Sequence, residues 1–415
     1  MISILGSFHR GTPSRCLPVS GHGNYPSGAA LSYGTLCILL WLSQFVVNPQ
    51  RAFAYEWATE TIESNVTSNA RNSSVAVDAN GVVHVLYYDE NESGAEQLKY
   101  AQRTGGSWTI EVLDSAKGDQ TVIEFDSLMR PHIFYNDIRS GQLVHGYREG
   151  GVWNLENINR GDLRGPRSGV MALGTDNAPQ VAFVDGAPHY AERTGAGWQS
   201  ESLPFGILVG AISLDAQDAP IIFGSSGRLY AASQAGSSWD LSIGTPFDLV
   251  SSINIDSTTN DGSTFHLSAI RRDDFNSSVG TMMHVVYDGS SWSSTAIESG
   301  VLSSLANTSI AIDPWGLPRI TYEAPAGNTG GEIVKHATFD GSGWVIDSIS
   351  MPVVQSGTAL AIGNDGASHV VYWSSEGSLM YATALIIPEP TSVTYLSILL
   401  TVAYFRRYRP SRPPA

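Results

Sequence analysis

Apolar residues in this chain fall in short runs separated by turn residues, and the pattern repeats. One copy reads Ser74-Val-Ala-Val-Asp-Ala-Asn-Gly-Val-Val-His84-Val-Leu-Tyr-Tyr-Asp89: an apolar strand ending near an Asp, a turn, and a second strand opening on His. A third run at Leu98–Ala101 and a Trp-led run from Trp108 complete the unit. Alternating positions rich in Val, Ile and Tyr mark strands rather than helices. Gly105-Gly106, Gly150-Gly151, Gly195-Ala196-Gly197 and Gly341-Ser342-Gly343 each precede a Trp, as tight hairpin turns require.

The Trp-led strands begin at Trp57, Trp108, Trp153, Trp198, Trp239, Trp292 and Trp344, at spacings of 51, 45, 45, 41, 53 and 52 residues. The apolar strand near an Asp also recurs, at Val75–Asp78, Val122–Asp126, Val170–Leu173, Ala211–Asp215, Ile253–Asp256, Ile310–Asp313 and Leu360–Ile362. Repeats of this period signal solenoids, propellers or arrays, and four strands make one propeller blade. The last unit stops at Tyr381-Ala382 without a Trp strand, while Trp57–Ile62 stands alone ahead of the first. The spare strand completes the defective unit, whereas an open solenoid would carry capping repeats. The expectation is therefore all-β: a seven-bladed β-propeller of four-stranded blades over residues 55–386, closed by its N-terminal strand.

Two end segments lie outside the repeat. Residues 1–54 read as an export signal, with an apolar stretch at Leu36–Val47 and the small-x-small pattern Ala52-Phe53-Ala54 before a cut. Residues 387–415 contain Pro388-Glu389-Pro390, an apolar run at Val393–Phe405 and the basic cluster Arg406-Arg407-Tyr408-Arg409. That order resembles the PEP-CTERM sorting signal of exported bacterial proteins. The resemblance implies an exosortase partner, cleavage near the triplet, and a short helix that holds the chain in the inner membrane before processing. It also implies an envelope or extracellular destination in a bacterium that makes extracellular polysaccharide. The apolar run is shorter than a comfortable span, and its Arg cluster suits the cytoplasmic side.

Charge narrows the partners. The 415-residue chain has a net charge of −16; without its two end segments, the body holds 16 basic and 38 acidic residues, or −22. Such a surface repels nucleic acid and anionic lipid. Cys16 and Cys37, the two cysteines present, both sit in the leader, so disulfide, thiol and Cys-based zinc chemistry are excluded from the body.

Candidate chemistry is sparse. The recurrent Trp residues read as packing between blades. His84, His132 and His369 fall on equivalent strands of separate blades and do not converge on one metal. Asp78, Asp126, Asp215, Asp256 and Asp313 read as caps of the turns that follow them, and they lack the ligand density of a calcium loop. No cofactor is assigned. The repeat also resembles sialidase-like propellers, but the turn reads Asp-x-x-Gly and does not match their Asp-box. No catalytic set, nucleophile elbow or phosphate-binding Gly loop is assignable.

The features outside the repeat are Arg139, the loop bearing Arg160, Arg164 and Arg167, and Arg271-Arg272. Topology places all of them on one face. Arg forks bind carboxylates, so an acidic glycan is the ligand this face would take, unless these residues pair locally. The reading is a non-catalytic, polysaccharide-binding surface protein; the alternatives are a glycoside hydrolase or lyase with its site in the funnel, or a protein scaffold.

Overall fold

The computed structural model describes residues 53–66, 73–90, 96–118, 120–158, 168–236, 238–259, 261–272, 279–302, 307–326, 331–349 and 354–388. They fall within one of two units, Gln50–Ala415. The export segment up to Ala52, and Glu389, Pro390, Arg406 and Arg407 of the sorting segment, lie outside the described residues. Among the described residues no helix is long and apolar enough to cross a membrane.

The described residues form seven four-stranded antiparallel blades. Blade 1 comprises Ser73–Val77, Val83–Glu90, Glu96–Thr104 and Ser107–Asp114, from the innermost strand outward. Blade 2 comprises Thr121–Phe125, Pro131–Asp137, Gln142–Glu149 and Val152–Asn157; blade 3 comprises Ser168–Leu173, Pro179–Asp185, Ala187–Thr194 and Gly197–Ser202. Blade 4 uses Leu208–Leu214, Pro220–Ser225 and Gly227–Ala235, then the first part of Ser238–Thr259. The last part of that long strand opens blade 5, followed by Phe265–Arg272, Val279–Tyr287 and Trp292–Leu302. The sequence suggests two strands there, at Trp239 and Ile253, but the chain runs from rim to axis without a break in strand structure. Blade 6 comprises Thr308–Ile312, Pro318–Pro325, Glu332–Phe339 and Trp344–Ser348.

Blade 7 confirms the closure read from the repeat. Its own strands Val354–Ile362, Ser368–Ser374 and Leu379–Pro388 are completed by Phe53–Glu63, paired antiparallel from Phe53↔Pro388 to Glu63↔Leu379. The pairing reaches two residues past each expected boundary, so Ala54 and Pro388 both lie in strands. The innermost strands touch in sequence around the ring, and blade 7 returns to blade 1. The N-terminal strand covers the edge of Leu379–Pro388 that the last unit would otherwise leave unpaired.

The turn from first to second strand shows why Asp recurs. Asp78 Oδ1 accepts from the Asn80 and Val82 amides, Asp126 Oδ1 from Leu128 and Arg130, and Asp313 Oδ1 from Trp315 and Leu317. Each carboxylate satisfies two amides that the turn would otherwise leave bare. Asp215 caps in the same way. Asp256 does not: its strand continues to Thr259, and Asp261 caps the turn through Ser263 and Thr264. The third turn residue is left-handed in every blade, at Gly81, Met129, Asn177, Asp218, Gly262, Gly316 and Gly366, with φ between 61° and 81°. Glycine adopts that conformation without strain, and four blades use it.

Neighbouring blades are joined by tryptophan. Trp108, Trp153, Trp198, Trp239, Trp344 and Trp57 each meet edge-on an aromatic of the preceding blade's third strand: Tyr381, Tyr100, His145, Tyr190, His284 and His336, at 5.0–5.5 Å between ring centres. Several indole N–H groups then donate to the preceding outer strand, three residues beyond its own Trp. Trp108 reaches Glu60 Oε1 (2.6 Å), Trp153 reaches Glu111 (3.0 Å), Trp239 reaches Glu201 (2.9 Å) and Trp292 reaches Ser242 Oγ (3.1 Å). Arg103, Arg148 and Arg193 bind Glu60, Glu111 and Glu156 from the same side. The packing role expected for the Trp repeat holds, with a polar half that the sequence reading missed.

The His positions are structural as well. His84 Nδ1 lies 2.5 Å from Tyr100 Oη, and His369 Nδ1 lies 2.6 Å from Tyr381 Oη. In blade 6 the same position holds Arg319, fully buried, which donates to Asp313 Oδ2 (3.0 Å), Gly366 O (2.7 Å) and Ser368 Oγ (2.8 Å). Arg319→Met leaves the Asp313 carboxylate buried without its counter-ion. The expected loss is about 3–5 kcal/mol in urea unfolding, with Asp313→Asn/Arg319→Met recovering part of it.

Candidate functional site in the joint between blades 2 and 3

One joint combines a buried histidine pair with a carboxylate at each end. In blade 2 the second strand carries His132 and the third strand carries His145 where blades 1, 3 and 7 have Tyr. The pair extends into a chain of contacts. Asp126 Oδ2 accepts from Arg130 Nε at 2.6 Å and lies 3.3 Å from His132 Nε2. His132 Nδ1 is 3.0 Å from His145 Nε2, and His145 Nδ1 is 2.9 Å from Glu156 Oε1. Arg193 of blade 3 donates its Nε to Glu156 at 2.8 Å. Tyr147 stacks on both imidazoles, and the Arg130 guanidinium lies 5.7 Å over the Tyr147 ring.

A cleft of about 350 Å³ opens over this chain, between the blades. Its wall includes Arg130, Tyr147, Glu156 and Arg193 together with Asp176 and Asn177 from the turn of blade 3. Burial pushes the His132 imidazole down to about 4, reinforced by His145 and only partly opposed by Asp126. Burial also works to raise the Glu156 and Asp126 carboxyls. Hydrogen bonds from His145 and Arg193, and from Arg130, overcome it and hold both below their usual range. The cleft thus presents ionised acceptors, planar donors and an aromatic face side by side. That combination suits a ligand rich in hydroxyls.

A second cavity, about 460 Å³, lies where the innermost strands of blades 2 to 5 meet near the axis, on the same face as the capped turns. It is lined by Glu124, Thr175, Ser213, Asp215, Asp218, Ser257 and Asp261, among others. Glu124 Oε2 accepts from the Leu173 amide at 3.1 Å, and Ser213 and Ser257 share a hydrogen bond of 2.8 Å. Asp256, set aside by its continuing strand, bridges to blade 6 through Ser309 Oγ (3.0 Å) and the Ile310 amide (2.9 Å). Burial lifts Glu124 to about 7, and the Asp256 charge adds to the shift.

The sequence-derived residues lie elsewhere. Arg139 stands on the opposite face, its Nη2 3.7 Å from Glu96 Oε2, and Lys117 binds the other oxygen of that carboxylate at 2.7 Å. Arg271 and Arg272 are half-buried at the end of the second strand of blade 5, three blades away. Arg160, Arg164 and Arg167 lie outside the described residues. The structure therefore keeps Arg139 of blade 2 apart from the adjacent Arg271 and Arg272 of blade 5. The cleft residues did leave a signal: Arg-x-x-x-x-Trp-x-x-Glu occurs at Arg103–Glu111, Arg148–Glu156 and Arg193–Glu201. Among the described residues no group of three or more His, Cys, Asp or Glu is arranged to hold a metal ion.

No protein-family model matches the chain, and no curated protein matches it. Among solved structures it is similar to the WD40 β-propeller domain of Doa1, with a TM-score of 0.50 and 10% identity over 79% of this chain and 97% of that one. It is also similar to the fungal Aleuria aurantia lectin, a six-bladed propeller, with a TM-score of 0.45 and 14% identity over 79% of this chain and 99% of that one. A third is the Hadza microbial sialidase Hz136, with a TM-score of 0.44 and 11% identity over 76% of this chain and 65% of that one. The protein is a seven-bladed β-propeller; at these identities the likeness extends to the fold alone.

The axial carboxyl gives a prediction for pH. The folded chain keeps a proton on Glu124 that the unfolded chain releases above its ordinary value of 4.5, so this group lowers stability as pH rises from 4.5 to about 7. Glu124→Gln removes that loss. The variant gains on the wild type above about pH 7 and loses the advantage below about pH 4.5, read from urea midpoints at both ends.

Proposed function

We propose that this protein is an exported, polysaccharide-binding propeller that takes its ligand in the cleft between blades 2 and 3. The observation that carries the reading is the meeting of Arg130, Glu156, Arg193 and the Tyr147 face in one solvent-open cleft. Both arginines there already bind carboxylates, so the cleft favours neutral sugar hydroxyls over free acid groups. The Arg-bearing opposite face is the place an acidic glycan would choose. The PEP-CTERM-like ending supports export, exosortase sorting and an envelope or matrix setting rich in polysaccharide.

A second reading, a glycoside hydrolase with an axial site, draws on one observation. Glu124 feels the charge of Asp256, and its proton is held to about 7, as a general acid requires.

The test is binding of the purified protein to neutral and acidic glycans, with new reducing ends measured in the same samples. Arg193→Ala is expected to weaken neutral-glycan binding at least about tenfold, or about 1.4 kcal/mol, while Arg160, Arg164 and Arg167→Ala together leave it unchanged. Loss confined to the triple variant moves the site from the cleft to the segment that carries those three arginines. Reducing ends that vanish in Glu124→Gln establish the hydrolase, and no binding or cleavage of any glycan removes both readings.

A further inference from the structure

The chain Asp126···His132···His145···Glu156 has three contacts at hydrogen-bond distance, and each needs one hydrogen. The two ends are carboxylates held ionised by Arg130 and Arg193, so they only accept. Both outer imidazole nitrogens, His132 Nε2 and His145 Nδ1, must therefore carry hydrogen. Two neutral imidazoles supply two hydrogens in all, and both are now used. The central contact, 3.0 Å between His132 Nδ1 and His145 Nε2, would then set two lone pairs against each other.

We infer that the His132–His145 pair carries one additional shared proton near neutral pH, with His145 as the imidazolium, and that this proton sets the state of the cleft between blades 2 and 3. His145 then donates from both nitrogens, to Glu156 and to His132. His132 stays neutral, accepts at Nδ1 and donates from Nε2 to Asp126. The low affinity of buried His132 for a proton agrees with this division.

The surroundings bear on the charge from every side. Arg130 from the turn of blade 2 and Arg193 from blade 3 oppose it, while Asp126 and Glu156 favour it directly. Glu149, 3.0 Å from Arg130 Nη1, and Asp176 at the cleft wall add negative charge at the edge. Tyr147 and Trp198 pack on the rings and exclude water from them. Blade 5 supplies an internal control: His266 Nδ1 and His284 Nε2 make the same 3.0 Å contact. Among the described residues no carboxylate bonds to either outer nitrogen there, so two neutral rings suffice. When the blade 2 proton leaves, lone-pair repulsion turns His145 from Glu156 and leaves Glu156 and Arg193 free to reorganise at the cleft. This switch does not depend on which ligand the cleft takes.

Nitrogen NMR of the protein labelled at its histidine rings, near neutral pH, reads each imidazole as cation or neutral tautomer. The wild type is expected to show one imidazolium, at His145, with His266 and His284 neutral. Glu156→Gln is nearly isosteric and its amide donates to His145 Nδ1, which supplies the third hydrogen without a charge. That variant is expected to keep its fold and to lose the imidazolium. A wild-type spectrum with both rings of the pair neutral overturns the inference. So does an imidazolium that persists in Glu156→Gln.

Discussion

A closed ring of blades requires every joint to be made together, and in this protein the joint is a tryptophan edge set on the preceding blade. Burial of an indole against an aromatic or imidazole contributes on the order of a few kcal/mol. At Trp108, Trp153 and Trp239 the N–H that comes with it donates to the acid three residues past the previous Trp. The same acid collects an Arg from the following blade in three joints. One outer strand thus supplies the packing residue for one neighbour and the acceptor for the other. The N-terminal strand follows this rule at the seam. Trp57 lies edge-on to His336 of blade 6, and Glu60 receives Trp108 and Arg103 of blade 1.

The joints are not equivalent, and the differences organise the surface. From blade 7 through blade 4, Glu60, Glu111, Glu156 and Glu201 give them a charged outer half. Farther round, Ser242 replaces the acid, and Tyr287 and Phe339 pack on Trp292 and Trp344 where Arg stands in blades 1 to 3. The joint between blades 2 and 3 combines the charged half with two buried histidines. Its chain of contacts reaches from a turn cap to a solvent-open cleft. A position that elsewhere only packs becomes, at this joint, a polar recess.

Much of the fold was legible because each repeat carries its own punctuation. Seven Trp-led strands, one of them spare ahead of the first unit, and a missing strand after the last fix blade number and closure without any contact being known. Asp256 misled because Asp before a polar stretch looks like a cap. Only the strand's continuation to Thr259 shows that Asp261 does that work. The cleft was harder to find. His145, Glu156 and Arg193 come from three strands in two blades, and nothing local to any of them announces the others. Isolated Arg clusters drew attention because they broke the repeat, yet Arg139 sits against Glu96 in a local pairing. Here the distinctive chemistry lies inside the repeat, as a variation on the joint.

The proposal places glycan binding at one modified joint, between blades 2 and 3. A crystal structure of the protein grown with short oligosaccharides from a glycan that binds tests it most directly. The account predicts a sugar ring on the Tyr147 side of the cleft between blades 2 and 3, with hydroxyls on Arg193 and on Glu156 or Asp176. A sugar bound on the opposite face by Arg139, or in the axial cavity beside Glu124, would contradict it.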